Sequence, residues 1–376
     1  MKTRSKTVDK PSVLMIGPCP PPFGGVATVV KSLSHQGPLL DRFDLSVYRI
    51  GRRDRGTSSL AQMAADLVRF LKFPFAKESR SSDIVHIHTA SYWSFVRTVP
   101  YVLVSRYMLG SRVILHIHGA RFHLFHNDSG KLMRYVIRTT LLMSDAIIVT
   151  SPSWIDLMNR IMARPGVPVF ALPNGFASDV FYPRSVDECR EKLNLPKDKR
   201  ILVTIGHLED YKGHRYLVDA MKTVTSERAD VVAYIIGNGS LKDDLSKQIR
   251  EANVEGNVIL EGGSKPDEEI PLWMNACDVF VLPSLNEGNP TVMFEALGCQ
   301  KPFIGTKVGG VPDVITSKEY GLLAEPGDSK QFAQNILEAL GRQWDGEKIG
   351  RYAAQFSWSD ISKRIVDIYE SVINAR

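Results

Sequence analysis

No run of this 376-residue sequence reaches the roughly 18 uncharged apolar residues that a membrane-spanning helix needs. The most apolar candidate, Tyr92 to Leu109, is interrupted by Arg97 and Arg106, so no spanning segment is expected. The opening MKTRSKTVDKP is basic and polar and lacks the apolar core of a signal peptide; it reads as a frayed tail before a first strand, in a cytoplasmic protein. Cysteine is scarce. Cys19, Cys189, Cys277 and Cys299 are spread too widely for a zinc site or a disulfide scaffold, which leaves buried or free thiols. Internal repeats and low-complexity segments are missing as well. So is a Gly-x-Gly-x-x-Gly turn after the first strand: Gly17-Pro-Cys-Pro-Pro-Pro-Phe-Gly24 is too rich in proline, which argues against a Rossmann dehydrogenase.

What is present suits a globular chain with two cores, since 44% of residues are hydrophobic and 23% charged. The net charge of +6 is unevenly spread. Residues 1–170 hold 23 Lys+Arg against 10 Asp+Glu, a net of +13, while the remaining 206 hold 24 against 31, a net of −7. The basic half suits an anionic partner, either a membrane surface or a phosphorylated acceptor, although scattered solvated Arg accounts for it almost as well; no nucleic acid is invoked. The aromatic and Arg-rich stretch Tyr92 to Arg106, with Arg121 to Arg138, reads first as ordinary helix surface.

Short β-rich apolar runs alternate with helical stretches, the pattern of parallel sheets covered by helices. Strands are expected at Ser12–Gly17, Leu45–Ile50, Ile84–Thr89, Val113–Gly119, Ala146–Ser151 and Val169–Leu172, then at Ile201–Gly206, Val231–Gly237, Val258–Glu261, Val279–Pro283, Pro302–Gly305 and Gly321–Ala324. Two sets of six imply two doubly wound α/β domains with a boundary near residues 174–195, and facing domains of this kind enclose a cleft at the carboxyl ends of their strands. The expected division is 1–178, 179–352 and a terminal helical segment 353–376, where Trp358, Ile361, Ile365 and Tyr369 recur at helical spacing.

The segment most suggestive of chemistry is Glu287-Gly-Asn-Pro-Thr-Val-Met-Phe-Glu295. Asn289-Pro290 reads as a helix start, with Asn as cap and Pro in the first turn, and the helix should end near Gly298. Its free amides suit a phosphate. A lone acid pair is usually a solvated loop acid plus a structural carboxylate, so the surrounding motifs decide its meaning. Gly206-His-Leu-Glu-Asp-Tyr-Lys-Gly213 follows the first strand of the second domain, where a phosphate-binding turn belongs, and Lys212 supplies a cation. Gly237-Asn-Gly-Ser240 follows the next strand, its glycines expected to allow close backbone approach to a ligand. In the first half, Phe23-Gly-Gly-Val26 follows the first strand and His116-Ile-His-Gly119 ends the fourth.

Together these segments resemble the GT-B glycosyltransferases of family 4, whose members are mostly retaining. The resemblance covers nearly the whole chain. Glu287 to Glu295 is similar to the family's E-x7-E motif, Gly206 to Lys212 to its phosphate turn, and Pro173-Asn-Gly175, Gly321 to Gly327 and Phe356-Ser-Trp358 to further landmarks. The resemblance implies a GT-B fold, two facing Rossmann-like domains, and a final helix that crosses back onto the first. It implies that Lys212 binds the diphosphate of a UDP- or GDP-sugar, that Glu295 bonds the ribose, and that Glu287 with the backbone of Gly288, Asn289, Pro290 and Thr291 holds the sugar hydroxyls. It places Gly237 and Gly239 in the donor site, Gly24 and Gly25 over the phosphates, and His118 beside the sugar ring. The implied activity moves a hexose-type sugar to an acceptor hydroxyl with no metal or cofactor; the basic first half adds the expectation of a glycan or lipid-linked acceptor and of peripheral contact with an anionic membrane.

One departure stands out: His207 occupies the place where the family usually has Arg. A histidine is charged there only if the diphosphate raises its pKa, so Lys307 or Lys265 is a candidate substitute cation. The pairs His86/His88 and His116/His118 alternate along strands; one of each is expected to line the cleft or bond at a strand end rather than ligate a metal. Retention without a placed nucleophile suggests front-face substitution; covalent attack by Glu287, nucleotide-sugar epimerisation and non-catalytic donor binding are the competing readings.

Overall fold

The structure, a computed structural model, describes residues 10–20, 24–51, 59–164, 166–263, 265–266 and 268–375. The tail expected at the start of the chain falls mostly outside the described residues, as does Phe23. Among the described residues, all twelve expected strands are present, most with ends moved by one or two residues.

The first sheet is built from β1 (Ser12–Gly17), β2 (Asp44–Arg49), β3 (Ile84–Thr89), β4 (Arg112–Ile117), β5 (Ala146–Val149) and β6 (Val169–Ala171), in the order β2-β1-β3-β4-β5-β6. The second is built from β7 (Arg200–Ile205), β8 (Val231–Ile236), β9 (Val258–Glu261), β10 (Val279–Leu282), β11 (Phe303–Thr306) and β12 (Gly321–Ala324), in the order β12-β11-β10-β7-β8-β9. Every pairing is parallel. A parallel strand with helices on both faces has no wet side, so runs such as Val13 to Ile16 and Val279 to Leu282 are apolar throughout and fully buried. Each order reverses once, between β1 and β3 and between β7 and β10. At such a reversal the loops after the two strands part in opposite directions and leave a crevice at their carboxyl ends.

The chain forms two compact units, residues 1–173 with 358–376, and residues 174–357. The expected boundaries at 178/179 and 352/353 thus move to 173/174 and 357/358, for a visible reason. Asn174 is hydrogen-bonded to Asn289, the Phe176 N–H donates to the Phe356 carbonyl, and the Phe176 ring lies where a side chain at Gly298 would sit. In the first unit, the helix Trp358–Asn374 buries Ile361, Ile365 and Tyr369. Arg42 pairs with Glu370, and the Phe43 and Tyr369 rings meet edge-on at 5.2 Å. No described helix is long and apolar enough to cross a membrane. All four cysteines are free, and burial pushes the Cys277 and Cys299 thiols up to about 12.

Candidate active site

In the second unit, the reversal between β7 and β10 brings together two loops that the sequence separates by more than 70 residues. The loop after β7 turns through a single 3-10 turn, Asp210–Lys212, and ends on Gly213 at φ +66°. A side chain at Gly213 would lie 2.1 Å from the Pro283 carbonyl oxygen, so glycine is what allows this turn to rest on the loop after β10. The Leu285 and Asn286 N–H groups both donate to the Tyr211 carbonyl, at 2.8 and 3.3 Å. These contacts carry Lys212 to Glu287: Nζ lies 2.7 Å from Oε1.

Glu287 is only 8% exposed and Lys212 is similarly enclosed. The Ser284 hydroxyl donates to the same Oε1 at 2.7 Å, and Thr306 holds the Ser284 carbonyl. From the other side Gly309, at φ +52°, passes so close that a side chain there would meet the Glu287 carbonyl oxygen at 1.9 Å; the Gly310 N–H donates to Gly288 at 2.7 Å. A buried ion pair with three supports is pre-organised, and breaking it from either side would leave an uncompensated charge.

The helix Thr291–Gly298 follows directly and carries Glu295. Asn289 is not its cap, contrary to the sequence-based expectation. Pro290 takes the cap position without a side-chain bond, while the Asn289 Oδ1 accepts from the Asn174 N–H at 2.8 Å and its carbonyl accepts from the Asn174 amide at 2.6 Å. Asn174 offers a competing donor that sequence-local reasoning does not see. Gly237 and Gly239 lie against the loop after β7. Side chains there would lie 1.9 Å from the Gly206 oxygen and 2.3 Å from the Leu208 oxygen, so what these glycines admit is the neighbouring loop. His207 is exposed, and its carbonyl accepts from the His214 Nε2 at 3.2 Å; burial pushes His214 down to about 4. Lys307 pairs with Glu325 at 2.6 Å and Lys265 with Glu269 and Glu261 at 3.4 and 3.5 Å.

In the first unit, β3, β4 and the residue that follows β4 hold histidines. His88 and His116 are register partners across β3 and β4, and the four rings of His86, His88, His116 and His118 stack with centroids 4.0–5.3 Å apart. Hydrogen bonds link the Tyr369 hydroxyl to His86 Nδ1 (2.6 Å), His86 Nε2 to His116 Nδ1 (3.3 Å), and His88 Nδ1 to His118 Nε2 (3.0 Å). Of the two expected placements, lining a cleft or hydrogen bonding at a strand end, the bonds above show the second, and the four rings form one stacked cluster in which His118 alone stays partly exposed. Burial pushes His86 and His118 down to about 3 and holds His88 and His116 well below the usual imidazole range. The cluster is therefore neutral at pH 7.

Among the described residues, His86, His88 and His116 form the group whose nitrogens lie close enough to hold a metal, within 4.8 Å of one another. Within that group His86 Nε2 and His116 Nδ1 are hydrogen-bonded to each other. Nearby, a side chain at Gly119 would lie 2.4 Å from the Ser91 hydroxyl, and Tyr92 holds a strained φ of +57° at the start of the helix Trp93–Leu103. Gly24 is extended and meets open space, as does Gly25 at the start of the helix Gly25–Leu33.

Several positioning residues escaped the sequence reading. His88 orients His118, Tyr369 closes the far end of the histidine chain, and Ser284, Gly213 and Gly309 set Glu287. His88 had a signal, the matching two-residue period of its pair and that of His118. Ser284 had none beyond its place in the loop.

Known proteins match on both units. A model described as "Glycosyl transferase 4-like domain" matches residues 15–175, and one described as "Glycosyl transferases group 1" matches residues 185–356. The chain is 24% identical to N-acetyl-alpha-D-glucosaminyl L-malate synthase from Bacillus anthracis over 82% of its own length and 78% of that protein's. Among solved structures, sucrose-phosphate synthase from Thermosynechococcus elongatus has a TM-score of 0.74 at 19% identity, covering 97% of this chain and all of that one. HepE from Anabaena, in complex with UDP-glucose, has a TM-score of 0.71 at 18% identity, covering 96% and 99%. With two six-stranded parallel sheets and both family models matched in succession, the chain belongs to the GT-B glycosyltransferases of family 4.

Proposed function

We propose that the protein is a retaining glycosyltransferase that moves a hexose-type sugar from UDP- or GDP-sugar to a hydroxyl of a glycan or lipid-linked acceptor. The observation that carries this reading is the enclosed Lys212–Glu287 pair at the strand-order reversal of the second unit. A cation at such a crevice suits a diphosphate, and a carboxylate beside it suits sugar hydroxyls. Both contacts to Glu287 fall on Oε1, so Oε2 is the oxygen assigned to the sugar. Glu295 is assigned to the ribose, Gly288 to Thr291 to the sugar and phosphate through backbone groups, and Gly24, Gly25 and His118 to the phosphates and the acceptor side of the ring. A complex of HepE with UDP-glucose supports a uridine donor.

In the proposed step the acceptor oxygen bonds to the anomeric carbon on the face the diphosphate leaves. The carbon–oxygen bond to phosphate breaks, and the hydroxyl proton passes to the departing phosphate oxygen. Lys212 steadies the charge that grows on that oxygen, without a metal. A neutral His118 would not act as a cationic acid toward the leaving group, so its part is to hydrogen-bond on the acceptor side, as donor or acceptor according to its tautomer. The protein is placed at the cytoplasmic face, in peripheral contact with an anionic membrane.

The test is calorimetric titration with UDP-, GDP- and ADP-sugars, followed by transfer assays read by NMR for the anomeric configuration. Retention with one preferred nucleotide supports the reading. Inverted product, a trapped glycosyl-enzyme at Glu287, or a new sugar isomer from donor alone would each replace it with a different mechanism or activity.

A further inference from the structure

The helix Ser59–Lys72 in the first unit turns Gln62, Asp66 and Arg69 inward. Gln62 is 9% exposed and donates to Asp66 at 3.0 Å. Asp66 also accepts from Arg69 at 3.1 Å and lies 3.6 Å from Arg97, while Arg69 donates to the Gly51 carbonyl at 2.8 Å. The apolar side faces outward. Met63, Leu67 and Leu71 recur every four residues and are 54%, 58% and 58% exposed; Val68 beside them is 49% exposed, and Phe75, one turn beyond, is 74% exposed.

An ordinary amphipathic helix has the opposite arrangement, because its apolar stripe is what buries it against a core. Here the inward face is held by an ion-pair network around Asp66, and a continuous apolar stripe lies in water. A stripe of this kind marks an interaction site. The exposed chain at its carboxyl end carries Lys72, Lys77 and Arg80 against Glu78 alone. The unit around it holds 26 Lys+Arg against 13 Asp+Glu, a net of +13, whereas the other unit has 21 against 28, a net of −7.

We propose that this face docks onto an anionic lipid surface, with Met63, Leu67, Leu71 and Phe75 entering the headgroup and acyl boundary and Lys72, Lys77 and Arg80 meeting lipid phosphates. Apolar residues in one stripe with cations at its border are what an interfacial helix requires. A second copy of the chain is a poorer occupant, since a two-fold interface would press two units of +13 together. The inference rests on the peripheral membrane contact in the proposed function and gives it a location; it does not depend on sugar transfer.

The test is co-sedimentation of the full chain with phosphatidylcholine vesicles with and without phosphatidylglycerol, at low and high salt. The wild type should partition onto the anionic vesicles and be only partly released at high salt, where the apolar stripe still holds it. Leu67→Glu with Leu71→Glu should lower partitioning by roughly tenfold or more at both salts. Lys72→Glu with Lys77→Glu should lower it mainly at low salt. All four positions are exposed, and unchanged melting verifies the fold. Wild-type protein that ignores anionic vesicles overturns the proposal, and so does equal sedimentation of the leucine variant. A leucine variant that instead turns a dimer into a monomer, or sheds a protein partner while still binding lipid, overturns it in favour of a protein interface. UDP- and GDP-sugar binding is measured on the same samples. Its absence with vesicle binding intact defeats the transferase reading and leaves this face standing.

Discussion

The two units share an architecture and differ in what they put at the ends of their strands. At its reversal the second unit holds opposite charges in contact, Lys212 and Glu287, and it exposes few large apolar side chains, Val180, Tyr182 and Leu285. The first unit stacks four neutral histidines and exposes most of the molecule's large apolar surface on the helices Ser59–Lys72, Trp93–Leu103 and Lys131–Leu142 and the turns that follow the first two. On the proposed function the second unit grips one invariant chemical group, a diphosphate, which a few fixed charges can hold, and the first meets a variable acceptor through shape, neutral hydrogen-bonding rings and apolar surface. That division would account for motifs that speak of chemistry in the second unit and mostly of packing in the first.

Acid should separate the units most. His86, His88 and His116 are buried neutral, with folded pKa values well below the roughly 6.5 of an unfolded imidazole. The unfolded chain therefore binds more protons as pH falls below about 6.5, and each histidine that stays neutral removes about 1.4 kcal/mol of stability per pH unit until its folded pKa is reached. Above about 6.5 the contribution is constant. The second unit has His214 alone of this kind, down at about 4. Hydrogen exchange at about pH 7.5 and pH 5 should show β3 and β4 losing several kcal/mol of protection while β7 and β10 lose far less. Equal loss in both sheets would remove the histidine cluster from the comparison.

Next in size is the charge pair. Lys212→Ala removes the cation assigned to the diphosphate and leaves Glu287 buried without its partner, so kcat/KM should fall at least about 100-fold, or about 2.7 kcal/mol. Glu295→Ala should fall comparably, through donor KM. Near-full activity in both variants means that the donor lies elsewhere.

How much of this was legible in the sequence depends on whether the cause is local. All twelve strands were, as short β-rich runs between helical stretches; the central ones are largely apolar because a parallel strand is covered on both faces, whereas the edge strand β2 keeps Asp44, Ser46 and Arg49. Glu287, Lys212 and Glu295 were legible as a pattern, but the ion pair was not, since it depends on Gly213 letting one loop rest on another. Asn289 misled because its cap preference is local while its competitor, Asn174, is 115 residues away. The histidine stack needed the β3–β4 register, which no single strand encodes. The outward stripe on Ser59–Lys72 was illegible because amphipathicity says that a helix has two faces, not which one is covered.

Glycine substitutions should sharpen the contrast at a smaller scale. Gly309→Ala puts a methyl group 1.9 Å from the Glu287 carbonyl at a φ of +52°, and should cost about 1–3 kcal/mol in thermal unfolding while weakening donor binding. Gly24→Ala, extended and facing open space, should stay within about 0.5 kcal/mol. Any larger loss of transfer in Gly24→Ala would then report contact with the donor rather than with protein. If Gly309→Ala is silent in both readouts, the loop around Glu287 is softer than its contacts imply.

A further small effect tests whether Glu287 is held by charge or by hydrogen bonding. Ser284→Ala deletes the hydroxyl that donates to Oε1 at 2.7 Å, yet Lys212 remains on the same oxygen at the same distance. The carboxylate keeps its charge partner and loses one neutral donor, so the change should cost about 1 kcal/mol, seen as a roughly fivefold fall in transfer. Because Ser284 sits behind the carboxylate, the loss should appear in donor KM as Glu287 gains freedom to rotate. Inserting Ser284→Ala into Lys212→Ala gives the discriminating number. If the two contacts hold Oε1 cooperatively, the double variant loses less than the sum of the singles; if the losses simply add, each contact acts on its own and the pair is not one pre-organised unit.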